Sequence, residues 1–93
     1  VILLNNKIMY QLKVREGLIA IIRPYLPVEK QSRALHLEDH LIDDLQINSA
    51  HMADIILDIE DHFDVIMDDE AIGKLITLKD SIDLIMDQVS GPN

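Results

Sequence analysis

Met52, Ile55, Ile56, Ile59 and Phe63 recur at i, i+3, i+4, i+7 and i+11. An α-helix puts all five side chains on one stripe, whereas a strand would scatter them over both faces. Val14, Leu18, Ile21, Ile22 and Leu26 repeat this spacing upstream, and Leu78, Ile82, Ile85, Met86 and Val89 repeat it downstream. No stretch alternates apolar and polar residues over the length of a convincing strand. The spacing therefore predicts an all-α fold, a small bundle of three main helices plus one short helix.

Breakers and caps set the expected boundaries. Pro24 restricts Arg23 and lacks an N–H, so the first helix should end or kink near Arg23, and Pro27 opposes any continuation. Gly17 inside that helix costs about 1 kcal/mol relative to alanine. Residues 1–12 are apolar but poorly patterned, with Asn5-Asn6 as a candidate cap. They read as an N-terminal extension able to add a turn to the first helix. Residues 28–48 have no long periodic segment and read as a long loop between the first two helices, packed down by Leu35, Leu37, Leu41, Ile42, Leu45 and Ile47. The second helix should run from Ser49 to about His62. Asp68 or Asp69 can cap a brief helix over Glu70–Leu75, with Ile72 and Leu75 turned inward. Thr77-Leu78-Lys79-Asp80 resembles a capping box and opens the last helix, and Ser90-Gly91-Pro92 stops it. This divides the chain into an extension (1–12), a helical domain (13–89) and a tail (90–93). Its length and the stop at Gly91-Pro92 point to a free-standing protein.

Charge narrows the function. Seventeen acidic residues face eight basic ones, a formal charge of -9. Such a field repels phosphate backbones and attracts basic protein surfaces, so no nucleic-acid partner is expected. There is no cysteine, hence no disulfide and no thiol unless a cofactor brings one. No apolar run approaches a membrane span, and no signal-peptide zones are visible. A cytoplasmic monomer is the expectation. Aromatics are few (Tyr10, Tyr25, Phe63), so the core must be aliphatic, with Met52, Met67 and Met86 as fillers.

The chemistry centres on Asp43-Asp44-Leu45-Gln46-Ile47-Asn48-Ser49-Ala50-His51-Met52. Asn48 can accept an orphan N–H as an N-cap. Ser49 then lies in a first helical turn, where free N–H groups and the helix dipole favour an anion such as a phosphodiester. His51, Asp54, Asp58 and Asp61 fall at i, i+3, i+7 and i+10, a polar ridge leading away from Ser49, with Glu60 adding charge nearby. From the residues alone, the leading reading of Ser49 is a helix-starting serine and that of the ridge a solvated face. The four histidines read as surface residues: His36 and His40 lack the zincin spacing, and His51 and His62 stand three turns apart. Asp68-Asp69-Glu70 lacks the alternating ligands and the glycine of a calcium loop. Ser49 has no histidine and acid arrangement, which disfavours an enzyme.

The order of these parts resembles an acyl carrier protein over roughly Val14 to Met86. That family has an acidic pair and a Leu, a short turn, then Asp-Ser-Leu opening an acidic second helix. Here Asp43-Asp44-Leu45-Gln46-Ile47-Asn48-Ser49-Ala50 stands in the same register. Ile59-Glu60-Asp61-His62-Phe63-Asp64-Val65 is similar to the end of the family's second helix, and Thr77 to Ile85 to its last helix. The resemblance implies 4'-phosphopantetheine on Ser49, transferred from coenzyme A by a phosphopantetheinyl transferase using its own Mg²⁺. It implies acyl groups held as thioesters for fatty-acid, specialised lipid or polyketide-type biosynthesis. It makes Asn48, Ala50, His51, Asp54, Asp58 and Asp61 the surface met by acyl-processing enzymes with basic patches. A core lined by Ile55, Ile59, Phe63, Ile72 and Ile82 would part around the acyl chain. Asn48 replaces the usual Asp, Ala50 a large apolar residue, and His51 an acidic or polar one, which points to a specialised member. Aminoacyl or peptidyl loading, and an unmodified acidic adaptor for a basic partner, remain the alternatives.

Overall fold

The computed structural model describes residues 2–89, with side chains from Asn6 onward. Four α-helices follow one another: α1 (Ile2–Ile22), α2 (Met52–Phe63), α3 (Asp69–Gly73) and α4 (Leu78–Val89). Short 3-10 turns occupy Arg23–Tyr25, Val28–Lys30 and Ser49–His51. The β structure among the described residues is an isolated bridge between His40 and Thr77. The three long helices and one short helix match the expectation. The stop at Ser90-Gly91-Pro92 lies outside the described residues.

Helix α1 departs from the sequence reading at its start. It begins at Ile2, so Asn5 and Asn6 lie inside it rather than capping it, and the extension supplies several turns instead of one. Apolar side chains surround these turns: Ile8, Met9, Tyr10 and Leu12 are all exposed. With no single apolar face there is no periodicity to read. From Val14 on, the stripe Val14, Leu18, Ile22 and Leu26 is buried as expected, and α1 ends at Ile22, two residues before Pro24.

Helix α2 buries Ile55 and Ile59, with Met52, Ile56 and Phe63 packed at the core edge. Its end is close to α1. A Cβ on Gly17 would stand 3.0 Å from both His62 Nε2 and Phe63 Cζ. The glycine is thus a contact requirement, which the propensity argument missed. Helix α4 buries Leu78, Ser81, Ile82, Ile85 and Met86. Ile72 is 37% exposed and Ile42 48% exposed, so neither is the inward pin that the sequence suggested. Ile42 lies in a turn and Ile72 in the five-residue α3, where periodicity does not fix the facing.

The long loop is packed by Leu35, Leu41, Leu45 and Ile47, all buried, and several of its backbone groups are bonded to other parts of the fold. Its carbonyls satisfy the start of α4. Leu78 N–H donates to the Asp39 carbonyl at 3.0 Å, and Lys79 N–H to that of Leu37 at 2.9 Å. The capping box completes this end: Asp80 N–H donates to Thr77 Oγ1 at 3.0 Å, and Thr77 N–H to Asp80 Oδ2 at 3.1 Å. Aspartate thus serves as the reciprocal partner in place of glutamate. The Asp39 carboxylate accepts from His36 N–H at 2.7 Å, and both of its oxygens accept from Arg33 Nη2, Oδ2 at 2.9 Å and Oδ1 at 3.1 Å.

Burial opposes the Asp39 charge, but the His36 N–H and the Arg33 guanidinium outweigh it and hold the carboxyl below its ordinary value of 3.8. A folded-state value below the unfolded one stabilises the fold at higher pH and loses that stabilisation as pH falls through it. Asp39→Asn is expected to cost about 2 kcal/mol at pH 7, the scale of hydrogen bonds to a charged group. Urea midpoints of parent and variant should converge as pH drops below 3.8, and a gap independent of pH would count against the charge. Gly17→Ala should fail to gain the ~1 kcal/mol of helix preference, leaving the midpoint at or below the parent's. On a background carrying both His62→Ala and Phe63→Leu, where both close contacts are relieved, the same change should raise the midpoint.

Candidate functional site

The loop delivers Ser49 through a defined turn. His40 N–H donates to Asp44 Oδ2 at 2.8 Å, while Asp44 and Leu45 N–H both return to the His40 carbonyl at 3.0 and 2.9 Å. Gln46 takes a left-handed conformation (φ 58), which reverses the chain so that Ile47 N–H reaches the Leu41 carbonyl at 3.1 Å. Leu45 and Ile47 are buried on either side of this reversal. Asn48 follows in extended conformation, and its Oδ1 accepts from Ala50 N–H at 2.9 Å, the expected cap. The Asn48 carbonyl also accepts His51 N–H at 2.8 Å.

Ser49, Ala50 and His51 therefore form a 3-10 turn that leads into α2 at Met52, and all three are exposed. The α-helix proper thus starts three residues later than the sequence predicted. The N–H groups of Ala50 and His51 are already bonded, which removes them as donors for an anion. What the turn keeps for Ser49 is exposure and the positive end of the helix dipole.

All four ridge residues are exposed, His51 in the 3-10 turn and Asp54, Asp58 and Asp61 on α2. Glu60 is not part of the ridge: its Oε2 accepts Met67 N–H at 2.9 Å and holds the connection to α3. One residue that sequence reasoning missed reaches the ridge from the end of α1. Tyr25 donates its hydroxyl to Asp58 Oδ2 at 3.2 Å, and its ring lies 5.4 Å from that of His51, centroid to centroid, tilted by 47°. Its rarity was the one signal available, since its partner Asp58 is 33 positions away. The four histidines are exposed, and no group of three or more His, Cys, Asp or Glu side chains among the described residues is arranged to hold a metal. No helix of the described residues is long and apolar enough to cross a membrane.

An all-α bundle that presents a capped, exposed serine ahead of an acidic helix has the build of a carrier domain. Relatives agree. An acyl carrier protein of Kocuria rhizophila is 32% identical over 73 residues, covering 78% of this chain and 88% of that protein. Another, from Desulforapulum autotrophicum, is 38% identical over 48 residues, covering 52% of this chain and 62% of that protein. No protein-family model matches the chain. The chain belongs to the acyl carrier protein family, and its general role is that of a carrier.

Partial desolvation, then the charge and hydrogen bond of Asp58, then the charge of Asp54, raise the Tyr25 phenol above its ordinary 10.0. On a Tyr10→Phe background the remaining phenol should titrate above pH 10 by ultraviolet absorbance. Asp58→Asn should move that midpoint back toward the ordinary value, because ionisation would no longer place two negative charges side by side. A midpoint indifferent to Asp58 would mean that the Tyr25 contact is not made in solution.

Proposed function

We propose that this chain holds acyl groups as thioesters on a 4'-phosphopantetheine arm joined to Ser49 through a phosphodiester. The observation that carries the reading is the position of Ser49: exposed, at the head of α2, on a turn fixed by Asn48 and preceded by the family's acidic pair and leucine. The residues fit the group. Exposure leaves the hydroxyl open to a transferase without any opening of the core, and Ala50 adds little bulk beside it. When bound, the arm supplies the terminal thiol that carries the cargo.

The chain's own residues then hold and present it. Asn48 fixes the turn, and the helix dipole of α2 favours the added phosphate charge. His51, Asp54, Asp58 and Asp61 offer a face to transferases and acyl-processing enzymes with basic patches, and attraction of this kind acts chiefly on the rate of encounter. A tethered acyl group reaches each partner at high local concentration. The small Ala50 and the neutral Asn48 alter the surface those enzymes touch, which favours a dedicated lipid or polyketide-type pathway over housekeeping fatty-acid synthesis. We place this role in the cytoplasm, with the 13–89 segment as the carrier unit.

The test is loading in vitro. Purified protein, coenzyme A, Mg²⁺ and a broad-specificity phosphopantetheinyl transferase should yield an intact mass higher by one phosphopantetheine. Ser49→Ala should stay at its starting mass. Failure of the folded parent to gain mass with several transferases would sink the reading and leave the unmodified adaptor, which would bind a basic partner through the same ridge.

A further inference from the structure

We propose that Tyr25 is a positioning residue for docking at the serine end, holding Asp58 and covering one side of His51 ahead of a basic partner's arrival. The inference rests on the carrier reading above and adds a residue outside α2 to its docking face. Three observations support it.

The first is contact: the phenol reaches Asp58 Oδ2 while the ring lies beside His51, so one side chain touches the ridge at its first and third members. Those residues stand seven apart, about two turns, with His51 in the 3-10 turn and Asp58 on α2.

The second is rigidity. Tyr25 sits in a 3-10 turn whose φ is restricted by Pro24, and Leu26 N–H closes that turn on the Arg23 carbonyl at 3.1 Å. The Arg23 guanidinium binds the carbonyls of Gln31 and Arg33, anchoring the turn to the loop beyond it. The phenol is therefore mounted on the scaffold, whereas Asp58 is an exposed helix side chain with rotamers to lose. Ordering such a group on binding has an entropic cost, and a contact made beforehand lowers it.

The third is chemistry. The bond engages Oδ2 only and leaves Oδ1 to accept from an incoming guanidinium or ammonium. A neutral phenol is a donor that does not compete for that charge. Its raised pKa keeps it protonated across the physiological range.

Steady-state loading by the same transferase, with KM for the carrier and kcat measured separately, tests the proposal. Tyr25→Phe keeps the ring and removes the hydroxyl. It should raise KM about threefold, the scale of one exposed hydrogen bond, with kcat and the urea midpoint unchanged. Tyr25→Phe combined with Asp58→Asn should be no worse than Asp58→Asn alone, because the phenol acts through that carboxylate. A Tyr25→Phe protein with the parent's KM, or penalties that simply add, would overturn the inference and leave the carrier reading standing. A folded parent that takes no phosphopantetheine would overturn both.

Discussion

The Asp39 carboxylate is the contact on which the architecture turns. A connection from Arg23 to Asn48 without a regular helix has many backbone groups to satisfy, and burying them unpaired would be costly. Asp39 gathers His36 N–H and the Arg33 guanidinium into one turn, while its own carbonyl receives the first N–H of α4. The loop needs donors and a helix start needs acceptors, so each satisfies the other. Once Leu37 and Asp39 are clipped to α4, Leu41 can pair with the Ile76 carbonyl and bury its side chain. The turn from His40 to Ile47 follows, and it ends at Asn48 and Ser49. The exposed serine is thus positioned from the far side of the bundle, through α4.

This division of labour changes how the acidic composition is understood. Asp39, Asp44, Glu60, Asp68 and Asp80 each accept a backbone N–H, fixing a turn, a connection or a helix start. Their charge is spent inside the chain. Asp54 and Asp61 stand exposed on the ridge, and Asp58 gives one oxygen to Tyr25. The formal charge of -9 thus includes one set of carboxylates that builds turns and helix starts and another that stands exposed beside Ser49. The second set is the one placed to meet a partner at the serine.

What the sequence made legible follows from where a local rule governs. Helices α2 and α4 announce themselves because amphipathic stripes repeat with the helical period, and the caps at Asn48 ahead of the 3-10 turn, Asp68 at α3 and Thr77 at α4 use side chains within three residues of their targets. The start of α1 was illegible since its apolar residues Ile8, Met9, Tyr10 and Leu12 are exposed and interspersed with Asn6, Lys7 and Gln11, so they define no single face. Ile42 and Ile72 were misassigned because a turn or a five-residue helix has too few positions to define a face. The Glu60 bond to Met67 and the Tyr25 bond to Asp58 join different elements, and no spacing rule encodes them. For the candidate site, the serine and its ridge could be read, but the support behind them could not.

That support also fixes how α2 lies. Tyr25 meets its beginning, at His51 and Asp58, and Gly17 meets its end, at His62 and Phe63. Moving back along the chain from Tyr25 to Gly17 matches moving forward from His51 to His62, so α1 and α2 run antiparallel. Ile55 and Ile59, buried in the core, hold α2 in the bundle, and these two contacts flank it on the side of α1. The loop then sets where the helix begins. Ser49 lies at the junction of loop and helix, which is how an exposed side chain can hold a fixed place relative to the ridge beside it.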